Sequence, residues 1–598
     1  MWCMNKIPYP YFITVIVLAF FAFAMSAFIS RSVFDRLPHL EDEFAYQYQA
    51  RIFAGGQIVI DSPDPRNAYW QPFVIDHEGQ RFGKYTPGYP AVLAIGVLLG
   101  QAWVINAFAA MLTIALTYRL GREIFSADVG VMAAVLVACS PMALLLNATL
   151  MAHSVALFYT TLFMLAYWRL EQGQRPYLWG TVGGLALGML AASRPLTSIA
   201  IAAPFIAWSG ARLLQTLIPW RPRRLRQVLL PLVLLSAVAT TLASSIPVFN
   251  YIATGEATRN PYTLIWEYDA VGFGECCGRN GHTLERALLH TRNDLTLTAS
   301  DLFGWQTAPI TAEIEDYLLR GARTYPASGY SLWILPLGVI VGLLFHKHKH
   351  PRQLYSLIAL WAVIVSAWVL MVVRIEDVPF LGDGLVTQIG FSYVWVGFTL
   401  VFLLLPLFAL LRWRDTPHVP YTWMLMSVVL GIVIVQLLYW IGSQRYSTRY
   451  YFEALSAAAL LGALPLAWLA RRARLLVYGG LIGVSGFFLL YYTLPRISVL
   501  HEFNRMSPAL LTAVDQRRVD DRPVLVIVNG TASGDNRVRW RSYGALLAET
   551  SPYLDSPIVV ARDYGTPGMR DAILDRFPDR QIIEMFAIGN EGMFVDEP

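Results

Sequence analysis

Long apolar runs alternate with short polar segments along most of this 598-residue chain. The first run, Tyr9 to Ser30, has about the 20 residues that a helix needs to cross a bilayer core. A signal peptide is the alternative, but many more runs of this length follow, which favours an uncleaved first helix. The whole pattern predicts about thirteen membrane crossings. They lie approximately at 9–30, 88–118, 128–148, 152–168, 177–193, 195–210, 227–247, 329–346, 353–373, 386–411, 421–441, 450–470 and 474–493.

The composition agrees with a membrane protein. Hydrophobic residues make up 56% of the chain and charged residues 15%, and the mean hydropathy is +0.47, which excludes an ordinary soluble enzyme. The formal net charge is +5, but the arginines occur as short clusters between apolar runs. This distribution indicates membrane topology and not a nucleic-acid surface, which would gather its charge on one face.

The arginine clusters fall in alternate loops of the predicted spans. Positive residues concentrate in cytoplasmic loops, so the pattern places the N-terminus in the cytoplasm. We expect the protein in the plasma (inner) membrane. The loop 31–87, the long loop 248–328 and everything after about residue 494 are predicted to lie outside.

After about residue 500 the long apolar runs end and shorter apolar segments follow. Pro523–Val528 and Ile558–Val560 read as short buried strands, Gln581–Ala587 as a further strand, and the segments 540–549 and 569–577 have helix-like spacing. The sequence therefore predicts two parts. Residues 1–495 form a helical membrane domain, and residues 496–598 form a small extracytoplasmic α/β domain.

Polar chemistry is concentrated in the segment 31–90, which we call the first loop. Asp42 and Glu43 stand a few residues from the predicted membrane surface. Partial desolvation and a neighbouring carboxylate both raise the proton affinity of an acid, which suits a general base. The alternative is that these acids cap the N-terminus of the following helix, from Asp42 to Ala54. Both interpretations stay open at this point.

Several cations on the predicted outer side break the topology rule. Lys84 is the only lysine outside the N-terminus and one cytoplasmic loop, and it stands in a Pro/Gly-rich turn. Arg194 lies between two short apolar runs, and Arg445 and Arg449 between two later spans. Charges at such positions are functional candidates. Together with an acid pair they could hold the phosphate of an anionic lipid head group.

These residues resemble motifs of the GT-C superfamily of membrane glycosyltransferases. The first loop opens with Asp42-Glu43-Phe44-Ala45-Tyr46 and closes with Lys84-Tyr85-Thr86-Pro87-Gly88-Tyr89-Pro90. The order and outer placement of these two motifs are similar to those of the protein mannosyltransferase-like and aminoarabinose transferase-like branches. The likeness covers roughly residues 1–495. Relatives carry a double proline where this chain has Thr86-Pro87.

The resemblance implies a polyprenyl-phosphate sugar donor and a glycan, lipid or protein acceptor. By position, Asp42 would be the base, and Glu43 would assist it or replace it. Lys84, Arg194 and Arg445 would bind the donor phosphate. Tyr46, Tyr85 and Arg449 would support this set. The extra acid Glu41 leaves the identity of the base open.

Some relatives use a divalent metal, and no metal site is assigned here. Its ligands could come from Asp42, Glu43, Asp76, His77 and Glu78, but their spacing does not argue for one.

The sequence thus predicts an inverting hexosyl- or pentosyltransferase that builds a cell-envelope glycan outside the cytoplasm. The alternative is a polytopic transporter or flippase of lipid-linked glycans. Such proteins often show repeated halves with charges at mid-membrane depth, and this chain shows neither.

Overall fold

The fold was analysed in a computed structural model that describes residues 9–217, 222–311, 329–344, 416–443, 446, 449–529, 540–588 and 591–595, with isolated positions between 352 and 363. The predicted spans 353–373 and 386–411 therefore fall largely outside the described residues, as does the site candidate Arg445.

Helices dominate the part of the chain before residue 500. The α-helices there are Tyr9–Ser32, Glu41–Ala54, Gly88–Leu98, Val104–Ile124, Ala127–Ala138, Pro141–Asn147, His153–Glu171, Pro176–Ser193, Pro195–Leu217, Pro222–Ala243, Ser245–Thr254, Tyr262–Ile265, Leu284–Asp301, Ile334–Leu343, His418–Gln436, Leu455–Ala470, Arg474–Phe488 and Leu494–Ser498. A π-helical turn, Leu489–Thr493, joins the last two. Short 3₁₀ segments lie at Arg66–Tyr69, Ser331–Trp333 and Arg449–Ala454.

Seven of the described helical segments are long and apolar enough to cross a membrane. The bent pair Ala127–Ala138 and Pro141–Asn147, which turns by 60°, makes an eighth if it is one span. Leu475 and Leu476 of the last span are 91% and 77% exposed, as expected for side chains that face lipid. The protein is an α-helical polytopic membrane protein, as predicted, although the count of thirteen spans stays a prediction.

One predicted run is divided in the structure, and one predicted break between two runs is present. The run 88–118 consists of the short helix Gly88–Leu98 and the span Val104–Ile124. The helices Pro176–Ser193 and Pro195–Leu217 meet at Arg194, because the residue before a proline is disfavoured in the α conformation. This break lets the Arg194 side chain leave the helix surface.

A small antiparallel sheet within the first loop carries the predicted lysine turn. Its strands are β1 (Ile60–Asp61), β2 (Val74–His77) and β3 (Gln80–Gly83), in the order β1-β3-β2. Lys84 follows β3 directly, and its backbone N–H donates to the carbonyl of Phe73 at 2.9 Å. The sheet thus fixes the position of Lys84 before the chain enters the next helix.

The described residues after Ser498, which we call the C-terminal module, contain the three predicted strands and one further strand, Glu591–Phe594. They are β4 (Val524–Asn529), β5 (Ile558–Arg562), β6 (Gln581–Ile588) and β7 (Glu591–Phe594), in the order β5-β4-β6-β7. Strand β4 is parallel to β5 and β6. Its continuous apolar sequence suits a strand that is covered on both faces. The helices of the module are Ala509–Arg517, Gly544–Glu549 and Met569–Arg576, and its 3₁₀ turns are Phe503–Arg505 and Trp540–Ser542.

The first loop packs into the core of this module. Phe44 meets Trp540 edge to face, with ring centroids 5.3 Å apart, and both side chains are buried. His39 Nδ1 lies 2.8 Å from the carbonyl oxygen of Phe503, and the Arg562 guanidinium donates to the carbonyl of Asn67 at 3.1 Å. The first loop and the C-terminal module therefore share one packed core.

We expect Phe44→Ala to weaken this junction. Removing a buried aromatic ring costs about 3–5 kcal/mol of stability. The change should lower the thermal midpoint of the detergent-solubilised protein and speed proteolysis of the C-terminal module. Val519→Ala, at a position of the module that is 52% exposed, is the matched control. Equal midpoints for the two variants would contradict the packing described here.

Candidate active site

A cavity of about 1190 Å³ lies where the first loop, the membrane helices and the C-terminal module meet. Of the residues singled out in the sequence, Glu41, Asp42, Tyr46, Lys84, Tyr85 and Arg194 line it. Arg449 lines it as well, and the module contributes Trp540 and Arg541.

Asp42 presents its carboxylate to this cavity from the first turn of the helix Glu41–Ala54. Nη1 of Arg449 donates to Asp42 Oδ2 at 2.6 Å, and the Tyr85 hydroxyl donates to Oδ1. Burial disfavours the charged carboxylate, but Arg449, Tyr85 and Lys84 outweigh it and hold the pKa of Asp42 below its ordinary value. Asp42 is therefore ionised at neutral pH.

Glu43 points away from the cavity and anchors the helix that carries Asp42. Its Oε2 accepts hydrogen bonds from the backbone N–H groups of His39 (2.9 Å) and Leu40 (3.0 Å) and from the Tyr446 hydroxyl (3.0 Å). Its Oε1 accepts from the N–H of Leu150 at 2.7 Å. Burial raises the pKa of Glu43 to about 7, although these hydrogen bonds oppose the shift. Of the two acids, Glu43 is thus the cap, and Asp42 lines the cavity together with Glu41.

Lys84 is held in a cage. Its ammonium lies 2.7 Å from Oδ2 of Asp269, and both side chains are buried. The rings of Phe73, Tyr262 and Trp266 surround the ammonium at 4.4–4.7 Å from their centroids. A cation over an aromatic face is attracted by the negative face of the ring, so the cage stabilises Lys84 in addition to the ion pair.

Arg194 is held by three side chains. Its Nε lies 2.8 Å from Glu453 Oε1 at ion-pair distance, without the alignment of a hydrogen bond, and donates to Thr197 Oγ1 at 3.3 Å. Its Nη1 lies 2.8 Å from Nε2 of His153. Glu453 is completely buried, so this pair extends the polar site into the membrane domain.

The predicted supporting tyrosines pack beside the acid. The rings of Tyr46 and Tyr85 lie 4.4 Å apart at 31°, and Tyr89 meets Tyr46 edge-on at 4.9 Å. Burial raises the pKa values of both Tyr46 and Tyr85, so both hydroxyls are neutral donors at physiological pH.

The acids named as metal ligands do not come together. Both oxygens of Asp42 are taken by Arg449 and Tyr85, and Asp76 pairs with Arg81 at the small sheet. Within the described ranges, no group of three or more His, Cys, Asp or Glu side chains could hold a metal ion. The described residues therefore show no assembled metal site around Asp42.

No family model and no curated protein matches the sequence. Solved structures do align with it. ArnT from Cupriavidus metallidurans, bound to undecaprenyl phosphate, aligns at 12% identity and a TM-score of 0.43, over 96% of this chain and 92% of that chain. The apo oligosaccharyltransferase of Archaeoglobus fulgidus aligns at 14% identity and a TM-score of 0.43, over 97% of this chain and 70% of that chain.

AglB from the same archaeon, in complex with an inhibitory peptide and a dolichol-phosphate, aligns at 12% identity and a TM-score of 0.41, over 96% of this chain and 69% of that chain. At such low identities, and with TM-scores below 0.5, the activity has to be argued from the residues of this chain.

The sequence interpretation missed three residues of the site: Asp269, Glu453 and His153. Glu453 could have been found, because it stands inside the predicted span 450–470 and an acid within a span is a functional candidate. Asp269 lies 185 residues from Lys84, in a polar loop with many other acids and hydroxyls, and no local pattern distinguishes it.

We expect Glu43→Gln to act on stability. A glutamine amide cannot accept the hydrogen bonds that one carboxylate oxygen now takes, so the variant should lose about 3 kcal/mol of unfolding free energy. Glu41→Gln, at the neighbouring position with no comparable set of donors, should unfold close to the wild-type temperature. Thermal unfolding of both in detergent checks this, and equal losses would contradict the capping role of Glu43.

Proposed function

We propose that the protein transfers a sugar from a polyprenyl-phosphate-linked donor to an acceptor on the extracytoplasmic side of the membrane. The observation that carries this proposal is the meeting of the Asp42 carboxylate with three cations, Arg449, Lys84 and Arg194, on one cavity. A transferase of this kind needs a base for the acceptor and positive charge for the departing phosphate.

The walls of the cavity suit an amphipathic donor. Leu196 and Ile199 line it from the span Pro195–Leu217, and Ile246 lines it from the span Pro222–Thr254. These apolar side chains can take a lipid chain from the bilayer, while the cations line the same cavity. The lining residues of the C-terminal module, which include Trp540 and Arg541, are left for the acceptor.

The reaction would be a single displacement. The Asp42 carboxylate takes the proton of an acceptor hydroxyl or amine, and the oxygen or nitrogen so activated attacks the anomeric carbon. The bond between this carbon and the phosphate oxygen breaks, and its electron pair leaves with the polyprenyl phosphate. The cations of the cavity stabilise the charge that develops on that oxygen. A single displacement inverts the anomeric configuration.

Transfer from this donor is tested directly with purified protein and a polyprenyl-phosphate sugar. Asp42→Asn removes the base and should lower the transfer rate about 10²–10⁴-fold. Lys84→Ala removes a cation of the cavity and should also lower the rate, through weaker donor binding. Near wild-type rates in both variants would refute the mechanism. Movement of the lipid-linked glycan across vesicles without transfer would favour the transporter alternative.

The pH dependence of transfer should follow the ionisation of Asp42. Activity needs the charged carboxylate, so it is lost as the pH falls through the pKa of Asp42, which is held below the ordinary value in the wild type. Arg449→Gln removes the largest of the interactions that lower this pKa, and burial then raises it. The acidic limb of kcat/KM should therefore move to higher pH in this variant. An unmoved limb would show that another group is the base.

A further inference from the structure

Three ion pairs line or adjoin the cavity: Arg449 with Asp42, Lys84 with Asp269, and Arg194 with Glu453. Each cation already has a carboxylate partner. A phosphate that enters the cavity must therefore compete with one of these carboxylates or add to an existing pair. The three pairs differ in how many N–H donors of the cation already have a partner.

Lys84 is the most completely enclosed of the three cations. Its partner Asp269 is held on its other oxygen by the Trp440 indole N–H at 3.0 Å and the Tyr439 hydroxyl at 3.3 Å. With aromatic rings around the ammonium as well, Lys84 cannot turn to a new partner without leaving both its carboxylate and its cage. Arg194 is likewise held on Nε and on Nη1.

Arg449 is held least. One N–H of its Nη1 reaches Asp42 Oδ2 at 2.6 Å, and its Nη2 contacts the Tyr450 hydroxyl at 3.4 Å. One ring, that of Tyr450, lies beside the guanidinium, 5.1 Å from its centroid. Its Nε is buried and has no hydrogen-bond partner among the described residues, although the side chain is 9% exposed and lines the cavity. A guanidinium carries five N–H donors in a planar fork that matches phosphate oxygens. Arg449 therefore has donors left for a phosphate.

The carboxylate of Asp42 is positioned to survive the loss of Arg449. Tyr85 donates to Oδ1, whereas Arg449 donates to Oδ2. If the guanidinium moved to another anion, the tyrosine would still hold the carboxylate in place while Oδ2 became available to accept a proton.

We propose that Arg449 exchanges the Asp42 carboxylate for the phosphate of the polyprenyl-linked donor, so that Asp42 becomes a competent base only in the donor-bound protein. The proposal depends on the proposed function for the identity of the ligand. In the reaction, Oδ2 takes the acceptor's proton, and Arg449 stabilises the phosphate oxygen that receives the electron pair of the broken bond. Donor binding therefore precedes deprotonation of the acceptor.

Binding of undecaprenyl phosphate to the full-length protein in detergent tests this, because it needs no transferase assay. Asp42→Asn removes the competitor for Arg449 and should tighten binding about tenfold, a change of about 1.4 kcal/mol. Asp269→Asn and Glu453→Gln are the matched controls, since they neutralise the partners of Lys84 and Arg194. These two should leave the affinity unchanged or weaken it.

A double-mutant cycle identifies the cation. Arg449→Gln should weaken binding about tenfold or more, and the gain from Asp42→Asn should disappear in the Arg449→Gln background. Undecaprenol, which lacks the phosphate, and inorganic phosphate, which lacks the lipid, separate the two parts of the ligand. Tight binding requires both. Thermal unfolding of each variant confirms that it is folded.

The outcomes separate this inference from the proposed function. If undecaprenyl phosphate fails to bind the wild type, both are overturned. If it binds but Asp269→Asn tightens binding and Asp42→Asn does not, Lys84 is the cation that changes partners and the inference alone is wrong. The same holds if Asp42→Asn leaves the affinity unchanged or retains its gain in the Arg449→Gln background.

Discussion

Burial of charge is the constraint on which this site depends. A cation or carboxylate removed from water is costly unless it is paired and hydrogen-bonded. The protein meets this cost by giving three of the cations that line the cavity a carboxylate partner each, in the pairs Arg449–Asp42, Lys84–Asp269 and Arg194–Glu453. The pairs keep this part of the site close to electrical balance. They also make the site sensitive to an anionic ligand, because such a ligand changes the net charge around the pair that it joins.

The fold serves to hold these pairs at one place. Glu43 accepts hydrogen bonds from the backbone just before its helix, from the distant backbone N–H of Leu150 and from the Tyr446 hydroxyl. These bonds fix the first turn of the helix and thereby the direction of Asp42. The small sheet before Lys84 fixes the other end of the first loop. Two neighbouring acids in the sequence thus have different tasks, and the division follows from which face of the helix each one occupies.

Much of the architecture could be predicted from local sequence patterns. The apolar runs predicted the helices, the break before Pro195 and the strands of the C-terminal module, because each depends on neighbours along the chain. The partners of the cations could not be predicted. Asp42 and Arg449 are 407 residues apart, and Lys84 and Asp269 are 185 apart. Such contacts arise from packing in three dimensions, which single-sequence periodicity does not record.

The shared core of the first loop and the C-terminal module has a consequence for biogenesis. His39 and Phe503 are 464 residues apart in sequence and in contact in the structure. The part of the cavity wall that the first loop supplies is therefore made long before the part that the C-terminal module supplies. Until the residues of the module have been translated and have packed against the first loop, the cavity lacks Trp540 and Arg541 in its wall. In a chain that is inserted in the membrane before the module is made, the module does not yet enclose the ion pairs of the cavity.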